Sequence, residues 1–273
     1  MSFLLEPDKY ASAHALFEEL TYHLAVVTVL AGKLPGRVYV DDLARPSTAI
    51  LIPSNQHRIY VSGEPERGLL ADVMHLLVNE SPEEGRGFVV YYDTSHAWKP
   101  ALEQAFQRPE GVFSWRRFYR LREPSSPVAS PLPEQITIGR IDEAMFADTT
   151  LVNRELLLEE IRSESPSLEH FFQQNFGFCA RDSHQLVAWC LAEYHYQGRY
   201  ELGIETIEAY QRKGIATHLA DAVIRRAFAQ GATEIGWHCW AANTPSIATA
   251  LKLGFEKVLD YPVCYGQSGP VLP

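Results

Sequence analysis

The chain has 273 residues, 46% of them hydrophobic and 21% charged, with a formal net charge of −10. This composition is ordinary for a soluble globular protein, and the length suits two domains that each bury a core. The acidic balance argues against nucleic acid as the main partner and is compatible with a cationic small substrate.

Cys179, Cys190, Cys239 and Cys264 are widely spaced and show no zinc pattern, so reduced thiols and a cytoplasmic home are expected. Glu6, Asp8 and Lys9 come too early for a signal peptide, and the longest apolar run, Leu24 to Gly32, is too short to span a bilayer. No membrane association is expected.

In chain order, Phe17, Leu20, Leu24 and Val27 fall at helical spacing, which predicts a first helix over 8–31, stopped by Gly32 and Pro35. Three short β-branched or aromatic strands follow at 37–41, 48–52 and 58–62. A helix over 67–78, a strand at 87–92, a helix over 97–107 and a strand at 113–121 complete an N-terminal domain, residues 1–122. Residues 123–134 are rich in Pro and Ser and read as an extended interdomain linker.

The second half, 135–273, opens with a strand at 135–141 and helices over 142–147, 150–163 and 165–174. Strands at 176–181 and 185–194 form a hairpin over Asp182-Ser183-His184. After a turn near Gln197-Gly198, the strand 199–206 leads into Gln211-Arg212-Lys213-Gly214-Ile215-Ala216 and a helix over 214–230. A strand at 233–239, a helix that Thr244 caps and Pro245 begins, and a closing strand from Phe255 finish the chain.

The stretch at Gln211–Ala216 carries the chemistry. Gly214 lets the backbone turn and a ligand approach closely. The helix behind it starts with unpaired N–H groups and the positive end of its dipole, a place for a pyrophosphate, and Arg212 and Lys213 add two cations. GxxxxGK[ST] and GxGxxG are both absent, which excludes the two commoner phosphate loops. What stands here is Q-x-x-G-x-A. With the preceding strand, and with Asn243, Ser246, Ala248 and Leu253-Gly254-Phe255 at the right distance, it resembles the GNAT superfamily of N-acetyltransferases. The resemblance covers about residues 135–265, and the β-α-α-β-β-β-α-β-α-β order of that half is the family's order.

The resemblance implies an α/β fold with a mixed sheet and acetyl-CoA as co-substrate, with no metal. It places the pyrophosphate on the backbone N–H groups of Arg212, Lys213, Gly214, Ile215, Ala216 and Thr217, with Gln211 where the family has Arg or Gln. It places the pantetheine arm along Ile204, Thr206 and Ile207, with the Thr206 N–H polarising the thioester carbonyl, and gives Asn243 a contact to the pantetheine side. An amine must also lose a proton. Glu201 and Glu205 lie four apart on one strand, on one face if no bulge intervenes, and Glu205 sits nearer the expected thioester. Many members carry a general-acid Tyr where this chain has Ala250. Tyr261, Tyr265 and Cys239 are the replacements at hand, and a CoA thiolate leaves well without one. His195, His218 and His238 have no ligand spacing, and Trp237–Trp240 reads as core and cleft wall.

From Arg37 the first half reads β-β-β-α-β-α-β, the order of the second half from Phe176. The N-terminal domain is therefore expected to be a degenerate copy of the same fold, the alternative being an unrelated α/β domain. At the loop position it has Gly63-Glu-Pro-Glu-Arg-Gly68, whose two carboxylates would repel a pyrophosphate. The function expected is transfer of an acetyl group from acetyl-CoA to a primary amine of a small molecule. The alternatives are a non-catalytic acyl-CoA-binding or regulatory module, and a protein or peptide N-acetyltransferase.

Overall fold

The computed structural model describes residues 2–54, 58–80, 87–94, 97–105, 113–124 and 126–267. It divides into two compact units, Met1–Arg116 with Asp260–Pro273, and Arg117–Leu259.

In the first unit β1 (Phe3–Leu4) pairs antiparallel with β2 (Gly36–Val40), which the sequence reading missed. The helix expected over 8–31 forms only as α1 (Leu24–Leu30), buried on every side. Before it the chain makes two 3-10 turns, Pro7–Ala13 and Glu18–Leu20. The buried positions there, Tyr10, Ala13, Phe17, Leu20 and His23, recur mostly at intervals of three, which suits 3-10 geometry better than an α-helical stripe. The Tyr10 hydroxyl donates to the Gly36 carbonyl at 2.8 Å and fixes the segment to β2.

β2, β3 (Thr48–Pro53) and β4 (Arg58–Gly63) are antiparallel neighbours, and β4 runs parallel to β5 (Gly87–Tyr91). The crossover between β4 and β5 carries α2 (Arg67–Glu80), and α3 (Trp98–Ala105) follows β5. The residues expected to extend α3 beyond 105 lie outside the described residues. Leu69, Leu70 and Val73 of α2 and Trp98 and Leu102 of α3 pack on Ile50, Ile52, Ile59, Val61 and Val90 of the sheet.

The second unit begins within β6 (Phe113–Leu121). The Pro-rich stretch after it has no helix or strand among the described residues, and Ser125 lies outside them. It is not a free linker: Val128 and Leu132 pack against the unit's core. β7 (Ile136–Arg140), β8 (Phe176–Asp182), β9 (Gln185–Tyr196) and β10 (Arg199–Thr206) are successive antiparallel neighbours. β10 runs parallel to β11 (Glu234–Trp240), and β6 flanks β11.

One face of this sheet holds α4 (Glu143–Ala147), α5 (Arg154–Glu164) and α6 (Leu168–Gln174). Met145, Leu157, Ile161 and Phe171 there meet Trp189 and Leu191 of β9. The other face holds α7 (Ile215–Ala229) and α8 (Thr244–Lys252). Ile215, Leu219, Val223 and Ala227 there meet Cys190, Ala192, Leu202, Ile235 and Trp237. Alternate residues of β9 and β10 serve alternate faces.

The closing strand β12 (Glu256–Gln267) leaves the second half of the sequence, and its Val263–Gln267 segment pairs antiparallel with β5. Each unit therefore takes in a strand from the other half of the sequence: β6 beside β11, and β12 beside β5. The sequence reading had placed all of 135–273 in one domain.

Candidate active site

The site is built on the ends of β10 and α7 in the second unit. The parallel pairing of β10 with β11 runs from Arg199↔Glu234 to Leu202↔Trp237, while β10 continues to Thr206 and β11 to Trp240. From Gly203 onward the two strands part, and the β10 edge toward β11 is open. β10 stays paired with β9 as far as Thr206↔Ala188. The Ile207 N–H continues this ladder by donating to the Val187 carbonyl at 2.9 Å. Alternation of an antiparallel ladder then turns the backbone groups of Ile204 and Thr206 toward the open edge. Ile207 differs, since its N–H is spent on β9 and its side chain packs in the core under α5 and α6.

Two polar side chains meet the backbone of Thr206. Its N–H donates to Glu205 Oε1 at 3.1 Å, and Gln211 Nε2 donates to its carbonyl at 3.1 Å. Gln211 thus ties the loop to the open edge. Tyr210 anchors the same loop: its hydroxyl donates to Asp182 Oδ2 at 2.9 Å, a bond that raises the phenol's pKa, and Lys213 Nζ lies 4.6 Å from its ring centre.

Arg212 and Gly214 are both left-handed, with φ of 61° and 79°. Backbone turns with residues in this conformation can bring neighbouring N–H groups together in a concavity of the kind that accepts anions. A Cβ on Gly214 would meet nothing within 4 Å, so the space in front of the loop is open. α7 behind it is 15 residues long, with Ile215 and Thr217 buried. The Thr217 N–H donates to the Gly214 carbonyl at 3.1 Å, so of the six amides expected to face a pyrophosphate, this one closes the first turn instead. Arg212 and Lys213 are exposed and Ala216 is half-buried.

Asn243, rather than Thr244, is the N-cap of α8: its Oδ1 accepts from the Ser246 N–H at 3.1 Å. Ser246 Oγ in turn accepts from Trp237 Nε1 at 3.0 Å, which fixes the far wall of the wedge. Ala250 is fully buried in the core with Leu253 and Phe255. Of the groups named as replacements for a tyrosine there, Cys239 is buried in the same core. Tyr261 is enclosed in the first unit beside Tyr22 and His23, and Tyr265 is exposed.

Glu201 and Glu205 share one face of β10, because the register shift in the β9–β10 ladder falls on β9. They differ in surroundings. Glu201 is 2% exposed, and its Oε2 lies 3.7 Å from His238 Nε2 on β11, whose ring stacks on Phe118 at 4.7 Å. Glu205 is exposed. Between them stands a carboxylate that sequence reasoning missed. Glu193 of β9 is the residue left over by the register shift, and its carboxylate occupies the space that a side chain on Gly203 would need. His195 stacks on Tyr200 at 4.3 Å, and partial burial lowers its pKa. His218 lies along α7, so neither shares the β10 face with the carboxylates.

In the first unit Gly63 is left-handed at φ 80°, and Glu66 accepts from the N–H groups of Gly68 (3.1 Å) and Leu69. The start of α2 is therefore capped by the chain's own carboxylate.

Comparison with known proteins assigns a class to the chain that carries this wedge and loop. The family model described as GNAT acetyltransferase matches residues 14–264. The chain belongs to this acetyltransferase family, over both halves of the sequence and not the second half alone. It is 26% identical over 262 residues to the "Uncharacterized N-acetyltransferase YdfB" of Bacillus subtilis (strain 168), covering 96% of this chain and 97% of that one. A GCN5-related N-acetyltransferase-like protein from Streptococcus suis has the same fold at 20% identity, with a TM-score of 0.71 and coverage of 95% and 98%. A tandem GNAT protein from the clavulanic acid biosynthesis pathway superposes over 99% of both chains at a TM-score of 0.61 and 12% identity. Among the described residues no helix is long and apolar enough to cross a membrane.

Proposed function

We propose that the chain is an acetyl-CoA-dependent N-acetyltransferase that moves the acetyl group directly to a primary amine of a small molecule. The observation that carries this reading is the open β10 edge beyond Leu202 leading into the left-handed Arg212–Gly214 loop at the head of α7. An extended thiol arm needs backbone partners, which Ile204 offers at the open edge and Thr206 offers once the arm displaces the Glu205 and Gln211 side chains from its N–H and carbonyl. A pyrophosphate needs inward amides and no Cβ in the way, which residues 212–216 offer. Gln211 holds edge and loop in register, and Asn243 fixes the start of α8 on the other side of the wedge.

The residues divide the work. The loop binds the pyrophosphate, the β10 edge orients the thioester, and a carboxylate on the α5/α6 face of β10 takes the ammonium proton. Glu201 and Glu205 are on that face. The acidic balance of the chain, −10, suits an acceptor that arrives as a cation. Residues 1–122 act as a degenerate copy of the fold, with the helix-start position taken by Glu66. The four cysteines, free thiols in the structure, fit a cytoplasmic protein. The test is release of free thiol from acetyl-CoA in the presence of a panel of primary amines. Amine-dependent thiol release supports the reading. Acetyl-CoA binding without release for any amine would favour a binding module.

A further inference from the structure

The β9–β10 ladder keeps a steady register from Thr206↔Ala188 to Leu202↔Ala192, then skips a residue, so that Glu201 faces Tyr194. The skipped residue is Glu193, and a bulge of this kind re-aims a side chain. Its backbone is pinned, because its carbonyl accepts from Asn175 Nδ2 at 2.9 Å at the end of α6. Its carboxylate is 6% exposed as a residue and lies against Gly203 on β10, where any Cβ would collide with Oε1. Gly203 is also the first β10 residue beyond the last pair with β11. The Glu193 carboxylate therefore stands at the apex of the wedge.

We infer that Glu193 is the catalytic general base, taking the proton of the acceptor ammonium at the apex of the β10–β11 wedge. The inference rests on the acetyl-CoA reading above. If the pyrophosphate lies on the 212–216 loop and the thiol arm runs back along β10 past Thr206, where the family resemblance would place the thioester, the acyl carbon arrives at the closed end of the wedge, beside Gly203. Of the carboxylates on this face, Glu205 lies toward the open end, is exposed, and its Oε1 accepts the N–H of Thr206. Glu201 lies on the paired side of the apex, opposite Gly236, beside His238.

Glu193 accepts one proton from the ammonium. The freed lone pair of nitrogen forms the C–N bond at the thioester carbon. The C–S bond breaks with its electron pair going to sulfur, and the second proton lost from nitrogen ends on the thiolate. Glu193 then returns its proton to solvent.

The test compares native protein, Glu193→Gln, Glu193→Asp and Gly203→Ala, reading acetyl-CoA affinity by calorimetry and the pH profile of thiol release with an amine acceptor. The expected result for Glu193→Gln is unchanged acetyl-CoA affinity, kcat lower by about 100-fold or more, and loss of the fall in activity at acid pH. Glu193→Asp restores part of kcat and the acid limb. Gly203→Ala, which displaces the carboxylate without removing it, lowers kcat in the same sense. Native kcat and an intact acid limb in Glu193→Gln would overturn the inference, as would loss of acetyl-CoA binding in that variant alone. Absence of acetyl-CoA binding in the native protein would overturn the parent reading and this one with it.

Discussion

The carboxylate of Glu193 fills the space above Gly203 that any other residue on β10 would fill with its own side chain. The two positions come from different strands and meet only because the β9–β10 ladder shifts register between Glu201 and Leu202. A glycine in the middle of a strand weakens it. Here it makes room for an acid at the point where β10 and β11 part.

Loss of the Asn243 cap should be measurable. Asn243→Ala removes the acceptor for the Ser246 N–H and should cost about 1 kcal/mol. In the thermal melt this appears as a Tm lower by about 2–4 °C. A Tm equal to the native value would show that the cap is not felt.

Glu66 should matter to stability and not to cofactor binding. Glu66→Ala strips two N–H groups at the start of α2 of their acceptor and should destabilise the protein by about 1 kcal/mol. Acetyl-CoA affinity by calorimetry should stay at the native value. Weaker binding in this variant would mean that the first unit takes part in holding the cofactor.

Asp41 gives a pH dependence with a definite sign. Burial pushes its carboxyl up, but hydrogen bonds from the Ser47 hydroxyl and from the Thr48 and Ser47 N–H groups outweigh this and hold it below the usual range. A group whose folded pKa is lowered stabilises above its unfolded value and loses that contribution as pH falls through the folded one. Asp41→Asn should therefore lower the Tm at pH 7, and the gap to native should close below about pH 4. A gap of constant size across that range would contradict the assignment.

The thiols should be inert in the folded state. All four cysteines are buried, and burial raises the Cys179 and Cys190 thiols and pushes Cys264 up to about 12. A thiol-reactive disulfide reagent should label none at pH 8 in native conditions and four in denaturant. Rapid labelling of a native thiol would show that one of these sites opens.

The strand–loop–helix from Arg199 to Ala229 was legible because its signals are local: an alternating strand, the glycine at 214 and an apolar stripe on α7. The cap in the first unit was not read, although Glu66 lies only two residues before the N–H group it meets at Gly68: the sequence reading took the carboxylates of this loop only as groups that would repel a pyrophosphate. Glu193 was not legible, because a bulge is a property of two strands and its partner Gly203 lies ten positions on. The first helix misled because Phe17 and Leu20 fit a helical stripe, while the buried set from Tyr10 to His23 keeps nearer to every third residue. The placing of β6 beside β11 and of β12 beside β5 was also hidden, since nothing local in either strand specifies its neighbour.

The most direct test of the central claim is acetyl-CoA binding by calorimetry to the native protein and to Gly214→Glu. That substitution puts a side chain and a negative charge into the open space before the loop, at a backbone cost of about 1–2 kcal/mol that leaves the fold intact. Micromolar binding by the native protein, lost in a variant that still melts cooperatively, is the predicted result. Absence of binding to the native protein, or equal binding by both, would contradict the account.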